Sequence, residues 1–179
     1  MPNQSTNNEI NVIILAAGQG TRMNSSVSKV LHEVGNKTLI QHVIDAAKPL
    51  ANSINVIIGH NSESVKKSTQ HSLIKWVLQK NQLGTGHAVM QAIPNIKKDS
   101  MCLILYGDVP LIQTQTLLKL LEKANKTGFS LLTVIQNDPS GYGRIIRDSS
   151  KSIQAIIEHK DANTEELEID EINTGIMAI

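Results

Sequence analysis

The sequence predicts a doubly wound, mostly parallel α/β sheet carrying a small β insertion. Two observations point there. From Val12 to Val134, short runs rich in Val, Ile and Leu alternate with stretches whose apolar residues recur at helical spacing. Strands that are apolar throughout are buried on both faces, which demands helices above and below a parallel sheet. After Asn137 the texture changes to Asp-Pro-Ser-Gly-Tyr-Gly and then to Arg144–Arg147, Ile153–Glu158 and Ile172–Ile179, a hairpin-like insertion with a return strand.

The elements follow in order. Val12 to Ala17 is the first strand, and Thr38 to Leu50 places Leu39, Ile40, Val43, Ile44, Ala47 and Leu50 on one helical face. Ile54 to Ile58 is the second strand, ended by Gly59. Ser62 to Gln70 has one apolar residue, Val65, and reads as a weakly packed surface helix or a loop. Ile74 to Leu78 is the third strand, after which Thr85 is placed to cap a helix that starts at Gly86 and stops near Pro94. Met101 to Leu105 is the fourth. Thr114 to Ala124 is an amphipathic helix with a leucine face, Lys126-Thr127-Gly128 ends it, and Phe129 to Val134 is the fifth strand. Residues 1–10 are polar and Asn-rich and read as a disordered tail, leaving one domain over 11–179.

Composition excludes several classes. With 40% apolar and only 2% aromatic residues in a chain of 179, the core must be aliphatic. The net charge of +1 is dispersed, which gives no electrostatic footprint for nucleic acid or a membrane surface. Cys102 has no cysteine to pair with and lies in an apolar run, so a buried, inert thiol in a reducing compartment is expected. The N-terminus lacks the basic and apolar regions of a signal peptide, and no apolar run reaches membrane-spanning length. The expectation is a soluble, cytoplasmic protein.

Chemistry gathers just after the strands, where open α/β sheets bind their ligands. The first strand breaks into Leu15-Ala16-Ala17-Gly18-Gln19-Gly20-Thr21-Arg22-Met23, with Lys29 six residues on. A Gly-x-Gly turn lets backbone N–H groups approach a phosphate, and Arg22 and Lys29 supply cations. It is neither a Walker A loop nor a dinucleotide fingerprint, because Met23 stands where each needs its later glycine. After the third strand comes Gln79-x-x-Gln82-Leu83-Gly84-Thr85-Gly86-His87, where an amide and the backbone near Gly84 match the edge of a pyrimidine base. After the fourth comes Tyr106-Gly107-Asp108-Val109-Pro110-Leu111. Asp108 sits either as a loop cap beside Pro110 or where one carboxylate would hold Mg²⁺ against triphosphate oxygens.

The pattern Leu-Ala-Ala-Gly-x-Gly-Thr-Arg-Met, followed by Lys-Val-Leu-His, Gln-Leu-Gly-Thr-Gly-His-Ala, Leu-Tyr-Gly-Asp-Val-Pro-Leu, Gly-Tyr-Gly-Arg-Ile, Glu-His-Lys-Asp-Ala and Glu-Ile-Asn-Thr-Gly-Ile, carries a family resemblance. Over residues 11 to 179 the chain closely resembles the uridylyltransferase domain of the bacterial bifunctional UDP-N-acetylglucosamine pyrophosphorylases/glucosamine-1-phosphate acetyltransferases. The resemblance implies a Rossmann-like nucleotidyltransferase that forms UDP-N-acetylglucosamine from UTP and N-acetylglucosamine 1-phosphate for cell-wall precursors, with Mg²⁺ as cofactor. At matching positions it implies that Leu15, Ala16, Ala17, Gly18, Arg22 and Lys29 bind the nucleotide. Gln79, Gln82, Gly84 and Thr85 would meet the uridine region and Asp108 the metal. Tyr106, Gly143, Glu158 and Asn173 would hold the sugar phosphate, a role the residue types suit: a carboxylate and an amide for hydroxyls, and a glycine N–H that can come close. Arg22, Lys29 and Asp108 are the expected catalytic set. Tyr142 either covers the sugar or fills the insertion.

Two departures stand out. Ser28 precedes Lys29 where the family usually has proline, so the loop is expected to be less organised. In the family the domain continues past Asn-Thr-Gly-Ile to a second metal ligand and then a β-helix acetyltransferase domain, through which full-length relatives form trimers. The chain is therefore expected to be incomplete at its C-terminal side, with its last strand short of neighbours and its turnover low. None of the histidines stands at a metal-ligand spacing, and solvated or satisfied rings are expected, His87 included. Glu165, Glu166, Glu168, Asp170 and Glu171 read as a solvated acidic face.

Overall fold

A computed structural model describes residues 9–18, 27–59, 62–69 and 71–179, which form two compact units: Met1–Ser130 with Met177–Ile179, and Leu131–Ile176. In the first, β1 (Ile10–Leu15) is followed by a 3-10 turn (Lys29–Leu31), the hairpin β2 (Glu33–Val34) and β3 (Lys37–Thr38), α1 (Leu39–Ala47), β4 (Ser53–Ile58), α2 (Glu63–Ser68), β5 (Ile74–Leu78), α3 (Thr85–Ala92), β6 (Met101–Tyr106) and α4 (Thr114–Thr127). The long strands run parallel in the order β5-β4-β1-β6.

Register explains why these strands read as predominantly apolar runs. Ile13, Ile57, Val77 and Ile104 point to one face, where Ala88 and Ala92 of α3 close over them. Val12 and Ile14 point to the other, level with Ile54 and Val56 of β4 and with Leu103 and Leu105 of β6, and all six are fully buried. The helices α1 and α4 pack on one another and bury Ile40, Val43, Ile44 and Ala47 of the first with Leu117, Leu120, Leu121 and Ala124 of the second. Thr38 starts α1 by accepting from Gln41 N at 3.3 Å, and Gly128 stops α4 in the left-handed region.

Several boundaries differ from the sequence expectation. β1 begins at Ile10, inside the segment read as a tail. Thr85 does not cap α3: it is the first helical residue, and Gly84, at φ +99°, takes the cap position that a side chain would strain. Strand five starts at Ser130, leaving Phe129 exposed. The segment read as weak helix or loop is helical as α2, anchored by buried Val65. Cys102 is only partly buried, and that burial pushes its thiol pKa up. The β2–β3 hairpin was not expected at all, although Gly35 and Asn36, both at positive φ (57° and 64°), make the two-residue turn such hairpins favour.

The second unit consists of β7 (Ser130–Ile135) from Leu131 on, β8 (Arg144–Arg147), β9 (Ile153–Ile157), α5 (Thr164–Leu167) and β10 (Glu171–Ala178) up to Ile176. β8 pairs antiparallel with both β9 and β10, and β7 pairs with β10. The last strand is thus not short of neighbours as expected. Its end in the first unit also pairs antiparallel with β6, Met177 beside Ile104 and Ala178 beside Leu103. The acidic stretch is not simply solvated either. Glu166 closes a capping box with Asn163, and Glu171 grips Arg147 through two bonds of 2.7 and 2.6 Å. The Arg147 guanidinium holds the Glu171 carboxyl below its ordinary range.

Candidate active site

The strand order places a topological switch at β1. The chain leaves β1 toward β4 and β5 on one side and returns to β6 on the other, which opens a crevice beyond the carboxyl ends of β1 and β6. Three loops meet there. The β1 loop is anchored by Ala16 N donating to Ile57 O at 2.9 Å, and the β6 loop by Gly107 N donating to Leu15 O at 3.0 Å. A Cβ on Gly107 would lie 3.2 Å from Val30 and 3.3 Å from Leu15 O, so any larger residue would crowd the approach of these loops. From the β5 loop, Gln82 Nε2 donates to Ala17 O at 2.8 Å.

At the mouth of this crevice Lys29 Nζ lies 2.6 Å from Asp108 Oδ2, both side chains open to solvent. The family pattern assigns these residues to phosphate and metal, and the fold makes them partners. Ser28, ahead of Lys29, has φ −54° and ψ 135°, the backbone that proline would impose. Arg22 and Gly20 lie outside the described residues, while Gly18 is exposed at the end of the described β1 loop.

The β5 loop holds its amides more tightly than a base-reading loop suggests. Gln79 is 3% exposed, and its Nε2 donates to Gly84 O at 3.2 Å and lies 3.0 Å from His87 Nδ1. Gly84 O also accepts from Ala88 N at 3.1 Å, opening α3. Gly84 and Thr85 are both exposed, and Tyr106 ends β6 half-buried. His87 was expected to be satisfied and without a role; it is satisfied, but by the glutamine at the centre of the loop.

The second unit brings its three expected residues onto one rung. Arg144 stands opposite Ile157 of β9 and Ile172 of β10, so the next rung holds Gly143, Glu158 and Asn173. Asn173 N donates to Gly143 O at 2.8 Å, and a Cβ on Gly143 would lie 3.4 Å from Glu158 Oε1. Asn173 Oδ1 accepts from Gly175 N at 2.8 Å, which leaves its Nδ2 as donor. Arg144, next to this rung, was missed by sequence reasoning. It is 1% exposed, and its Nη1 ties down the carbonyls of Pro139 and Tyr142 at 2.6 and 2.5 Å, fixing the turn that delivers Gly143. Its place in Gly-Tyr-Gly-Arg was the available signal. Tyr142 is half exposed.

A parallel sheet in the dinucleotide-fold order, with a glycine-bearing loop and a lysine–carboxylate pair at its switch point, is the framework of a nucleotide-binding α/β protein. A family model described as the MobA-like NTP transferase domain matches residues 12–164, and the chain belongs to that family. It is 53% identical over 172 residues to the bifunctional protein GlmU of Vesicomyosocius okutanii and 49% identical over 170 residues to that of Idiomarina loihiensis. These alignments take in 96% and 94% of this chain but 38% and 37% of the relatives. The chain thus spans under two-fifths of the curated relatives it matches, at their N-terminal end. A Bacillus anthracis structure described as a glucose-1-phosphate thymidylyltransferase superposes with a TM-score of 0.76 at 20% identity, over 94% of this chain and 70% of its own. The Mycobacterium tuberculosis protein Rv0371c gives 0.62 at 17%, over 69% and 64%. The two structures share the fold. Among the described residues no helix is long and apolar enough to cross a membrane.

Proposed function

We propose that the chain transfers the uridylyl group of UTP to N-acetylglucosamine 1-phosphate, giving UDP-N-acetylglucosamine and pyrophosphate for cell-wall precursors. The observation that carries the acceptor is the shared rung of Gly143, Glu158 and Asn173. An acceptor-only carboxylate, an amide with a free donor and a glycine that lets a ring approach the backbone are what a hydroxylated, acetamido-bearing sugar requires. The resemblance adds Tyr106 to this set. The nucleotide falls to the first unit: Leu15, Ala16, Ala17, Gly18, Arg22 and Lys29 toward the phosphates, and Gln79, Gln82, Gly84 and Thr85 toward the base.

Asp108 suits Mg²⁺. It offers a hard oxygen at the crevice mouth, and among the described residues no cluster of three or more His, Cys, Asp or Glu forms a cage for another ion. Mg²⁺ is ordinarily held by one or two carboxylates, with phosphate and water completing its shell. Bound there, the ion supplies charge neutralisation to the triphosphate. The protein's own part is positioning. Lys29, released from Asp108, turns its ammonium to the phosphates and stabilises charge that grows as a sugar-phosphate oxygen attacks the α-phosphorus and pyrophosphate leaves. With a second phosphate pKa of about 6, that oxygen carries no proton at neutral pH, so no general base is required. Arg22 adds a second cation.

Titration of the chain with N-acetylglucosamine 1-phosphate and glucose 1-phosphate, alongside pyrophosphate release with UTP and Mg²⁺, tests this reading. The acetamido sugar should bind better, and Glu158→Ala should weaken it. Equal binding of glucose 1-phosphate would refute the acceptor.

A further inference from the structure

We infer that His87 sets which pyrimidine the nucleotide loop accepts, by locking the side-chain amide of Gln79 so that only its oxygen faces a base. The inference rests on the nucleotide reading above. Gln79 follows β5 with its backbone N held by Ile58 O at 2.9 Å and its side chain buried, so the amide has little room to turn. Its orientation is fixed by Gly84 O, an acceptor 3.2 Å away that only an N–H can face. The nitrogen at that position is then also the atom 3.0 Å from His87 Nδ1.

The ring must follow. A neutral imidazole accepts at one nitrogen and donates at the other. Nδ1 faces an amide nitrogen whose orientation Gly84 already dictates, so Nδ1 accepts and Nε2 carries the hydrogen. Gln91 Nε2, 3.2 Å from His87 Nε2, is held as a donor by its 3.1 Å bond to the His87 carbonyl and competes for the same lone pair; Gln91 is partly exposed and can turn its second hydrogen to water, whereas the buried Gln79 cannot, so the lone pair goes to Nδ1. Both hydrogens of Gln79 Nε2 are thereby engaged, one by Gly84 O and one by His87 Nδ1. Among the described residues nothing donates to Gln79 Oε1.

A base meeting this side chain finds an acceptor and no donor. Uracil and thymine present N3–H to such an edge, whereas cytosine presents the N3 lone pair and is repelled. Sites whose polar groups are held in one sense reject a ligand of the opposite sense far more strongly than apolar pockets reject a size difference. His87 touches no substrate in this scheme. It is a positioning residue, and its effect is on selectivity.

The test is calorimetric titration of the chain, in buffer with Mg²⁺, with UTP and with CTP. Wild type should bind UTP roughly ten-fold tighter or more, the discrimination typical of a hydrogen-bond mismatch. His87→Ala frees one Nε2 hydrogen, and the UTP/CTP ratio should fall about five-fold or more. His87→Asn places Oδ1 where Nδ1 stood and should restore the ratio to within about two-fold. A His87→Ala chain that keeps the full ratio overturns the inference and leaves the uridylyl reading standing. A wild type that does not prefer UTP removes that reading, and the inference with it, before any variant is made. Independently of the variants, ¹⁵N shifts of the His87 ring should report the Nε2–H tautomer; an Nδ1–H ring overturns the lock.

Discussion

Replacing Lys29 with methionine should move metal affinity and nucleotide affinity in opposite directions. Without nucleotide, the Lys29 ammonium occupies Asp108 Oδ2 at 2.6 Å. A divalent ion must displace it. The pair is screened by water, with the lysine side chain 43% and the aspartate 27% exposed. Its net worth is therefore that of a surface pair, about 0.2–1 kcal/mol. Relieving that competition should tighten metal binding to the nucleotide-free chain by up to about five-fold. UTP loses a charge-assisted contact worth about 1.5–3 kcal/mol, so its affinity should fall by roughly ten- to more than hundred-fold. Mn²⁺ serves as probe: free ion is counted by electron paramagnetic resonance in the absence of nucleotide, and UTP binding is followed by calorimetry. Asp108→Asn in the Lys29→Met background should erase the metal gain. Unchanged or weaker Mn²⁺ binding in Lys29→Met, with UTP binding intact, would refute the exchange of partners.

Three further outcomes follow from the packing. Ser28→Pro should stabilise the chain by about 0.4–1 kcal/mol, because φ at Ser28 is already −54° and the bond from Leu31 N to Ser28 O at 2.9 Å needs no N–H at position 28; a melting temperature at or below wild type would contradict this. Asn55 is wholly buried in β4 with neither amide atom bonded, so Asn55→Val should stabilise the chain, by about 1–3 kcal/mol if the orphaned amide bears its full desolvation cost, and a urea midpoint no higher than wild type would contradict this. Glu171 is held below its ordinary pKa by the Arg147 guanidinium, so its contribution is complete above the unfolded carboxylate pKa and disappears as pH falls through the depressed folded value. The stability gap between wild type and Glu171→Gln should therefore be widest near neutrality and close as pH drops below about 4, as pH-dependent denaturation will report.

How far the sequence could be read depends on the range of the interaction involved. The parallel core was legible because near-continuous apolar runs such as Val12–Leu15 in β1 and Val56–Ile58 in β4 imply burial on both faces. The Gly35-Asn36 turn is equally local, but its flanking strands are two residues each, too short to show an alternating pattern. The engagement of Gln79, Gln82 and Glu171 was not legible. Whether an amide or carboxylate side chain faces a ligand or a neighbouring carbonyl is decided by partners brought near by the fold: Ala17 for Gln82, 65 residues away, and Arg147 for Glu171, 24 away. Sequence names the groups and their valences, and the fold decides which valences stay open.

The rung in the second unit carries the same lesson further. Gly143 precedes β8, Glu158 follows β9 and Asn173 lies within β10, and their alignment is fixed by the neighbouring rung, Arg144 opposite Ile157 and Ile172. Arg144 fastens the turn before β8, and the Arg147–Glu171 grip joins the other end of β8 to β10. A slip of one residue in β9 would send Glu158 to the opposite face and pair Gly143 with a side chain of different chemistry. Arg144, Arg147 and Glu171 therefore hold the register on which the three depend. Arg144 is then best understood as a positioning residue for the rung: among the described residues its guanidinium bonds the Pro139 and Tyr142 carbonyls and lies 3.4 Å from His159 Nδ1.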